Sequence, residues 1–260
     1  MTLALSPGGR RYGYRRDTPS HLDLGISNMP SFIRTSNNSD VVVDLEPFCG
    51  PVKDQGQLGA CTAFAGCGMR EYLARKMEKS DVILSPLYLY WKEREFDNDL
   101  GQGDTGSFGR TSVHVMNMGG VCQESVDPYD IADFERAPTP EQVVDAGNYR
   151  AGAYHRISNV QDMKSCLASS YVFVVGFTVY QSFESMGGDH VYQPDTSKED
   201  ILGGHEVLFI GFDDSRQAFK VRNSWSSSWG NGGNFWFPYA VAADPNVLMD
   251  AWIQHMGRAW

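Results

Sequence analysis

An α+β fold with a helical first half and a twisted antiparallel second half is predicted by the order of the local patterns. Segments with a helical apolar period fall between residues 61 and 118. Runs rich in Val, Phe, Tyr and Ile, bounded by Gly, Asp and Ser turns, follow from residue 154 onward. Helices first and strands afterward imply two segregated layers rather than an alternating β/α sheet. No segment recurs at a period of 20 to 50 residues, which excludes a solenoid.

In chain order, residues 1–40 differ in composition from the rest. They are rich in Gly, Pro, Ser, Asn and Arg, and five Arg against three Asp give them a local balance of +2, while the remainder carries −12. They read as an N-terminal extension, with the main domain beginning near Val41-Val42-Val43-Asp44-Leu45. Cys61 to about Lys76 has the period of a helix, with Phe64, Ala65, Met69, Tyr72 and Leu73 on its buried stripe. Ser85-Pro86 supplies an N-cap and a first-turn proline for a second helix through Leu87-Tyr88-Leu89-Tyr90-Trp91. Gly101 to Gly109 holds too many glycines for regular structure and precedes a short helix from Thr111 to Met118. Strands are expected over Tyr154 to Ile157, Tyr171 to Tyr180, His205 to Phe212, Gln217 to Asn223 and Asn234 to Phe237, with a helix from Val160 to about Ala168 among them.

Composition sets the outer limits. A chain of 260 residues with 42% hydrophobic content can bury a full core in one large domain or two intimate halves. Its net charge of −10, with no Lys/Arg stripe interleaved with aromatics, argues against a nucleic-acid partner. No apolar run approaches the ~18 residues of a membrane span, and the apolar part of Met1-Thr2-Leu3-Ala4-Leu5 is too short for a signal peptide. No two Cys or His sit at the short spacings of a structural zinc site, so neither a metal nor a cofactor is expected. Five cysteines leave at least one unpaired. A bridge between Cys49 and Cys122 and three ordinary thiols at Cys49, Cys122 and Cys166 are both open at this level.

The stretch that carries chemistry is Gln55-Gly56-Gln57-Leu58-Gly59-Ala60-Cys61-Thr62, a glycine-broken loop entering a helix whose first residue is a cysteine. Helix N-terminal N–H groups and the macrodipole favour a thiolate over a free thiol of pKa ~8.5. Gln55 is placed to reach back over that sulfur, where its amide and the Cys61 N–H can form an oxyanion hole. A thiolate nucleophile needs a base and a group that orients the base. His205 opens an apolar strand after Gly203-Gly204, and Asn223 closes the next one; antiparallel strands joined by the Asp213-Asp214 turn bring the two side by side.

In this order Cys61, His205 and Asn223 resemble the papain family of cysteine peptidases. His205 falls within the ~130–150 residues that separate nucleophile and base in that family, and Asn223 lies slightly beyond. Pro51-Val52-Lys53-Asp54-Gln55-Gly56 is similar to the family's lead into its oxyanion glutamine, and Asn223-Ser224-Trp225 followed by Trp229-Gly230 to its Asn-Ser-Trp segment. The resemblance runs from about residue 41 to the C-terminus. It implies a two-lobed fold, about 41–130 mainly helical and about 131–260 mainly β, with Gly119-Gly120-Val121 to Asp127-Pro128-Tyr129 crossing between lobes and the site in the cleft. It implies a Cys-His-Asn endopeptidase working through an acyl-enzyme, with Trp225 covering the His205–Asn223 bond, Gly106 on a cleft wall that pairs with substrate backbone, and Glu206 in the main specificity pocket, favouring a basic side chain or narrowing the pocket. The implied partners are a polypeptide substrate and a proteinaceous inhibitor, the implied state a monomer, and the lean in location is to secretion. Two departures stand out: Leu58 occupies the place of a disulfide cysteine and Thr62 that of an aromatic. They keep a papain-fold binding module in view, and an acyl transferase would use the same triad.

The family's zymogens commonly carry a longer, helical propeptide, whereas residues 1–40 have no helical period. The extension is nevertheless long enough to reach the cleft. Arg10, Arg11, Arg15 and Arg16 face an acidic body, and Tyr12, Tyr14, Leu22, Leu24, Ile26, Met29 and Phe32 are available as apolar anchors. It is expected to pack along the body and partly cover the cleft, restraining activity, against the alternative of a structural strap on the back of the domain.

Overall fold

The computed structural model describes residues 3–28, 41–186 and 188–256. Among them the elements are, in order, strands β1 (Tyr14–Arg15) and β2 (Val42–Asp44), helices α1 (Cys61–Leu73) and α2 (Pro86–Phe96), strand β3 (Ser107–Phe108), helices α3 (Gly109–Met118) and α4 (Pro140–Ala146), strand β4 (Ala151–Arg156), helix α5 (Val160–Ala168), strands β5 (Phe173–Tyr180), β6 (Ile201–Asp213), β7 (Ala218–Arg222) and β8 (Asn234–Pro238), a short helix α6 (Tyr239–Ala242), and strand β9 (Leu248–Met256). The helical half and the strand half fall where the sequence predicts them.

Helix α1 is the axis of the helical lobe. Every residue except Gly68 is buried, including Arg70 and Glu71. Its small and aromatic residues pack against α2 and α3 on one side and against β6 on the other. The helix closes in a π turn at Ala74–Glu78 with Lys79 in the left-handed region, φ 59°. Ser85 caps α2 as expected, its hydroxyl accepting from the Tyr88 N–H at 3.1 Å, with Pro86 in the first turn.

The second lobe is a seven-stranded sheet ordered β4-β9-β5-β6-β7-β8, with β2 added to β6. All its pairings are antiparallel. Strand β5 is buried along its whole length, and Phe173, Phe177, Phe209, Phe219 and Phe235 form a continuous aromatic core. Fully burying such a side chain contributes about 1.5–3 kcal/mol, so this sheet is a rigid platform for whatever its edges carry. The β6–β7 hairpin pairs Phe212 with Phe219 and Asp213 with Ala218. It thereby brings the start of β6 and the end of β7 together, as the sequence requires for His205 and Asn223.

Several elements escape the sequence reading, among them the short strands β1, β2 and β3, the short helix α6, and the longer α4 and β9. Helix α4 begins at a Thr139/Gln142 capping box with Pro140 behind the cap. Strand β9 carries Asp250 and Gln254 at inward positions, both buried, which breaks the apolar alternation that would announce a strand. All five cysteines are unbridged, so a Cys49–Cys122 pairing is not made.

The extension is laid between the lobes. Strand β1 pairs in parallel with β3, Tyr14 opposite Ser107, and Gly13 bridges Gly204 on the other side. Tyr12 and Tyr14 are buried and Ile26 packs against the core. Leu22 and Leu24, expected as anchors, are exposed because the chain has left the cleft by then. Met29 and Phe32 lie outside the described residues.

Candidate active site

The loop ahead of α1 is held from both lobes. Lys53 Nζ donates to Glu71 Oε1 at 2.8 Å and to the Leu84 carbonyl at 2.6 Å. On the other side Gln55 N–H donates to Ser224 O at 2.9 Å and Ser226 N–H to Lys53 O at 3.1 Å. Breaking one partner of a buried ion pair costs about 3–5 kcal/mol, because the other charge stays buried. Lys53→Met is therefore expected to destabilise the fold by about 3 kcal/mol in urea unfolding, since Glu71 keeps only the Leu84 N–H.

The Gln55 amide is oriented by its neighbours. Its Oε1 accepts from Ser224 Oγ at 2.6 Å, and Nε2 donates one N–H to Leu58 O at 3.0 Å. A primary amide has a second N–H. Cys61 follows at the first position of α1, where no side chain caps the helix.

His205 and Asn223 meet as expected. His205 Nε2 lies 2.8 Å from Asn223 Oδ1, which also accepts from the Ser224 N–H at 2.8 Å. An oxygen that already takes one N–H is the acceptor of the amide, so the imidazole proton sits on Nε2 and the lone pair on Nδ1. That Nδ1 is buried and has no hydrogen-bond partner. Trp225 lies over the imidazole with centroids 5.1 Å apart and planes 33° apart, closing the His205–Asn223 bond from water. Burial in this aromatic nest lowers the His205 pKa to about 4, opposed by the Asn223 hydrogen bond.

The sulfur departs from the sequence expectation. Cys61 is fully buried, and burial pushes its thiol well above the ordinary value. The carboxyls of Glu206 and Glu93 push the same way, while the backbone N–H groups of Glu206 and Gly13 oppose them. Helix N-terminal stabilisation is outweighed by burial. The N–H of Glu206 belongs to the peptide that joins it to His205, so the backbone next to the base candidate faces the sulfur.

Gly106 has φ 69°, and a Cβ there would stand 1.8 Å from the Gly13 carbonyl oxygen. The adjacent Ser107 N–H, rather than Gly106 itself, donates to that oxygen at 2.9 Å. Glu206 is buried and does not turn to solvent; neither carboxyl oxygen has a hydrogen-bond partner. Burial, then Glu93, Asp17 and Asp250, hold it well above the usual carboxylate range. Asp250, absent from the sequence reading, belongs to this cleft and accepts a 2.6 Å hydrogen bond from Tyr14, which the sequence offered only as an apolar anchor. The available signal for Asp250 was an acid inside the apolar run Leu248 to Ile253. No group of three or more His, Cys, Asp or Glu among the described residues is placed to hold a metal ion. None of the described helices is long and apolar enough to cross a membrane.

The family model for papain family cysteine proteases matches residues 39–251. The chain belongs to the papain family. Xylellain, a cysteine protease from Xylella fastidiosa, superposes with a TM-score of 0.86 at 30% identity, covering 95% of this chain and 96% of its own. The uncharacterised peptidase C1-like protein L477 of Acanthamoeba polyphaga mimivirus is 30% identical over 269 residues, 94% of this chain and 86% of the viral protein. The gamete and mating-type specific protein A of Dictyostelium discoideum is 26% identical over 220 residues, and the chain spans 45% of its length. The two-lobed α+β architecture is thus the papain fold, and procathepsin B of Trypanosoma congolense shares it at a TM-score of 0.70 and 17% identity. Membership of this family implies a polypeptide substrate.

Proposed function

We propose that the chain is a cysteine endopeptidase with a Cys61–His205–Asn223 triad, held inactive by its own N-terminal segment. The observation that carries this reading is the His205–Asn223 pair at 2.8 Å, which leaves a bare, buried Nδ1 on the residue whose neighbour, Glu206, turns its backbone N–H to the Cys61 sulfur. In the open cleft, His205 Nδ1 takes the Cys61 proton and the thiolate attacks a substrate carbonyl carbon. The Cys61 N–H and the second N–H of Gln55 Nε2 receive the oxyanion, worth about 10²–10³ in rate per donor. His205 returns the proton to the leaving amine, whose C–N bond breaks to give a thioester. Water, deprotonated by His205, then hydrolyses the thioester and frees Cys61. Asn223 keeps the imidazole in the Nε2–H tautomer throughout, and Trp225 keeps that bond dry.

The extension occupies this cleft without offering a cleavable bond. Attack requires a carbonyl whose oxygen points at Gln55 and the Cys61 N–H. Gly13 instead turns its N–H toward the sulfur and gives its carbonyl oxygen to the Ser107 N–H. With the extension docked the pair is a thiol and a neutral imidazole, whereas the open pair is a thiolate and an imidazolium, so docking returns the proton from His205 to Cys61 and takes none from solvent where that ion pair is intact. Alkylation of Cys61 by iodoacetamide, followed from pH 4 to 9, is expected to be slow at pH 7 in the resting chain. After the extension is displaced, the rate is expected to rise with an inflection below pH 7, as for a thiolate paired with an imidazolium. A displaced chain whose Cys61 still titrates above pH 8 would remove the peptidase reading in favour of a papain-fold binding module.

A further inference from the structure

Across three adjacent strands Asp250, Gly176 and Glu206 stand in one row, Gly176 being the register partner of Asp250 on β9 and of Glu206 on β6. The missing side chain at Gly176 leaves a slot between two carboxyl groups, and the ring of Tyr14 fills it. A Cβ on Gly176 would lie 1.9 Å from Tyr14 Cζ, and one on Gly204 would lie 3.1 Å from its Cδ1. At the floor Tyr14 donates its hydroxyl to Asp250 Oδ2 at 2.6 Å, and the Asp17 N–H donates to the same oxygen at 3.0 Å. Both donors belong to the extension. When it leaves the cleft, a fully buried carboxylate oxygen loses every hydrogen bond it has here.

We propose that Asp250 is the specificity-determining residue of this pocket and that the pocket takes a tyrosine side chain of the polypeptide substrate. The reading rests on the peptidase function proposed above and names what that cleft selects. Three observations define the ligand. The slot between Gly176 and Gly204 is the width of an aromatic ring. The acceptor lies where a para hydroxyl reaches it. The other oxygen of Asp250, Oδ1, is already paired with the Arg156 guanidinium, so the carboxylate is charge-matched before any substrate arrives. A lysine or arginine entering the slot would face Arg156 across a carboxylate already paired with it. Phenylalanine would fill the same volume and leave Oδ2 buried without a donor, which is the kind of mismatch that sites built to bind a hydroxyl reject most strongly.

The test uses the full chain and three fluorogenic peptides that differ only at the penultimate acyl-side residue, Tyr, Phe or Arg. Competing substrates draw on the same open fraction of enzyme, so the ratio of their kcat/KM values does not depend on how often the extension leaves. Tyrosine is expected to exceed phenylalanine by about 10- to 100-fold, the discrimination of a hydrogen bond to a charged acceptor. Asp250→Ala is expected to bring that ratio to about 1 or below, and Asp250→Asn, which keeps the shape and an acceptor, to an intermediate value. Thermal melts identify a variant that has lost its fold, in which case the wild-type ratio decides alone. Equal turnover of the Tyr and Phe peptides, or fastest turnover of the Arg peptide, overturns the pocket assignment and leaves the peptidase reading intact. Cleavage of none of the three, with Cys61 still open to alkylation, overturns the peptidase reading and the pocket with it.

Discussion

Cys61→Ala is expected to lower peptide hydrolysis by about 10⁴-fold or more and to abolish labelling by a thiol-directed epoxide, with the melting temperature nearly unchanged. The size of the effect follows from chemistry: without the sulfur there is no acyl-enzyme, and the remaining oxyanion hole and binding contacts supply only a residual acceleration. The small effect on the fold follows from packing. Cys61 is a small residue among small neighbours, Ala60 and Ala63, both buried, and trading a thiol for a hydrogen removes little volume. Cys61→Ser separates the two contributions. It keeps a hydroxyl in place of the thiol but replaces a thiolate with a group that His205 cannot ionise at neutral pH. Both variants and the wild type are to be compared after the extension has been displaced, using a short fluorogenic peptide and circular dichroism. Full activity in Cys61→Ala would sink the triad assignment, whatever the family.

How much of this was legible in the sequence depends on whether the signal was local. The loop-to-helix step at Gln55 to Cys61 and the glycine turn before His205 are written in adjacent residues, and their elements form where the pattern puts them. The His205–Asn223 contact needed one inference, that a tight turn at Asp213-Asp214 closes a hairpin, and the register bears that geometry out. Protonation was not legible. A thiol at a helix start suggests a lowered pKa, but what decides is burial, in which Gly13, nearly fifty residues upstream, takes part. The environment of Glu206 was hidden for the same reason: its pKa is raised by burial and by Glu93, Asp17 and Asp250, drawn from three other parts of the chain. Strand β9 and its Asp250 were missed because a buried acid looks like a surface one until its donors, Tyr14, Asp17 and Arg156, are in place.

Gly13→Val in the full chain is expected to raise peptide turnover and Cys61 alkylation about 5- to 150-fold. A Cβ at position 13 would stand 1.8 Å from the Gly59 carbonyl oxygen and 2.7 Å from Gly59 Cα, both backbone atoms of the loop that positions Cys61. Neither can move aside without shifting the nucleophile, so the extension must lift instead. Overpacking of this kind costs about 1–3 kcal/mol, which in a two-state equilibrium multiplies the minor, open population by about 5 to 150. What holds the extension down is known in kind. Arg15 pairs with Asp97 at 2.9 Å and Asp99 at 2.6 Å, and Arg10 with Asp54 at 3.1 Å. The half-exposed Arg10–Asp54 pair contributes about 0–1 kcal/mol and weakens with salt, and the Arg15 pairs, though made to two largely buried carboxylates, leave the guanidinium side chain 32% exposed, so neither is the main anchor. Tyr12 and Tyr14 are, each buried and each ending on a carboxylate, Glu184 at 2.8 Å and Asp250 at 2.6 Å. Gly13 lies between these anchors, and its substitution opposes both without touching the triad. Deletion of residues 1–38 is the limiting case and should be at least as fast as Gly13→Val. A soluble, folded deletion chain no faster than the full chain would end the autoinhibition reading and leave the extension as a strap; a fast deletion chain with an unchanged Gly13→Val would place the restraint elsewhere in the extension than at this crossing.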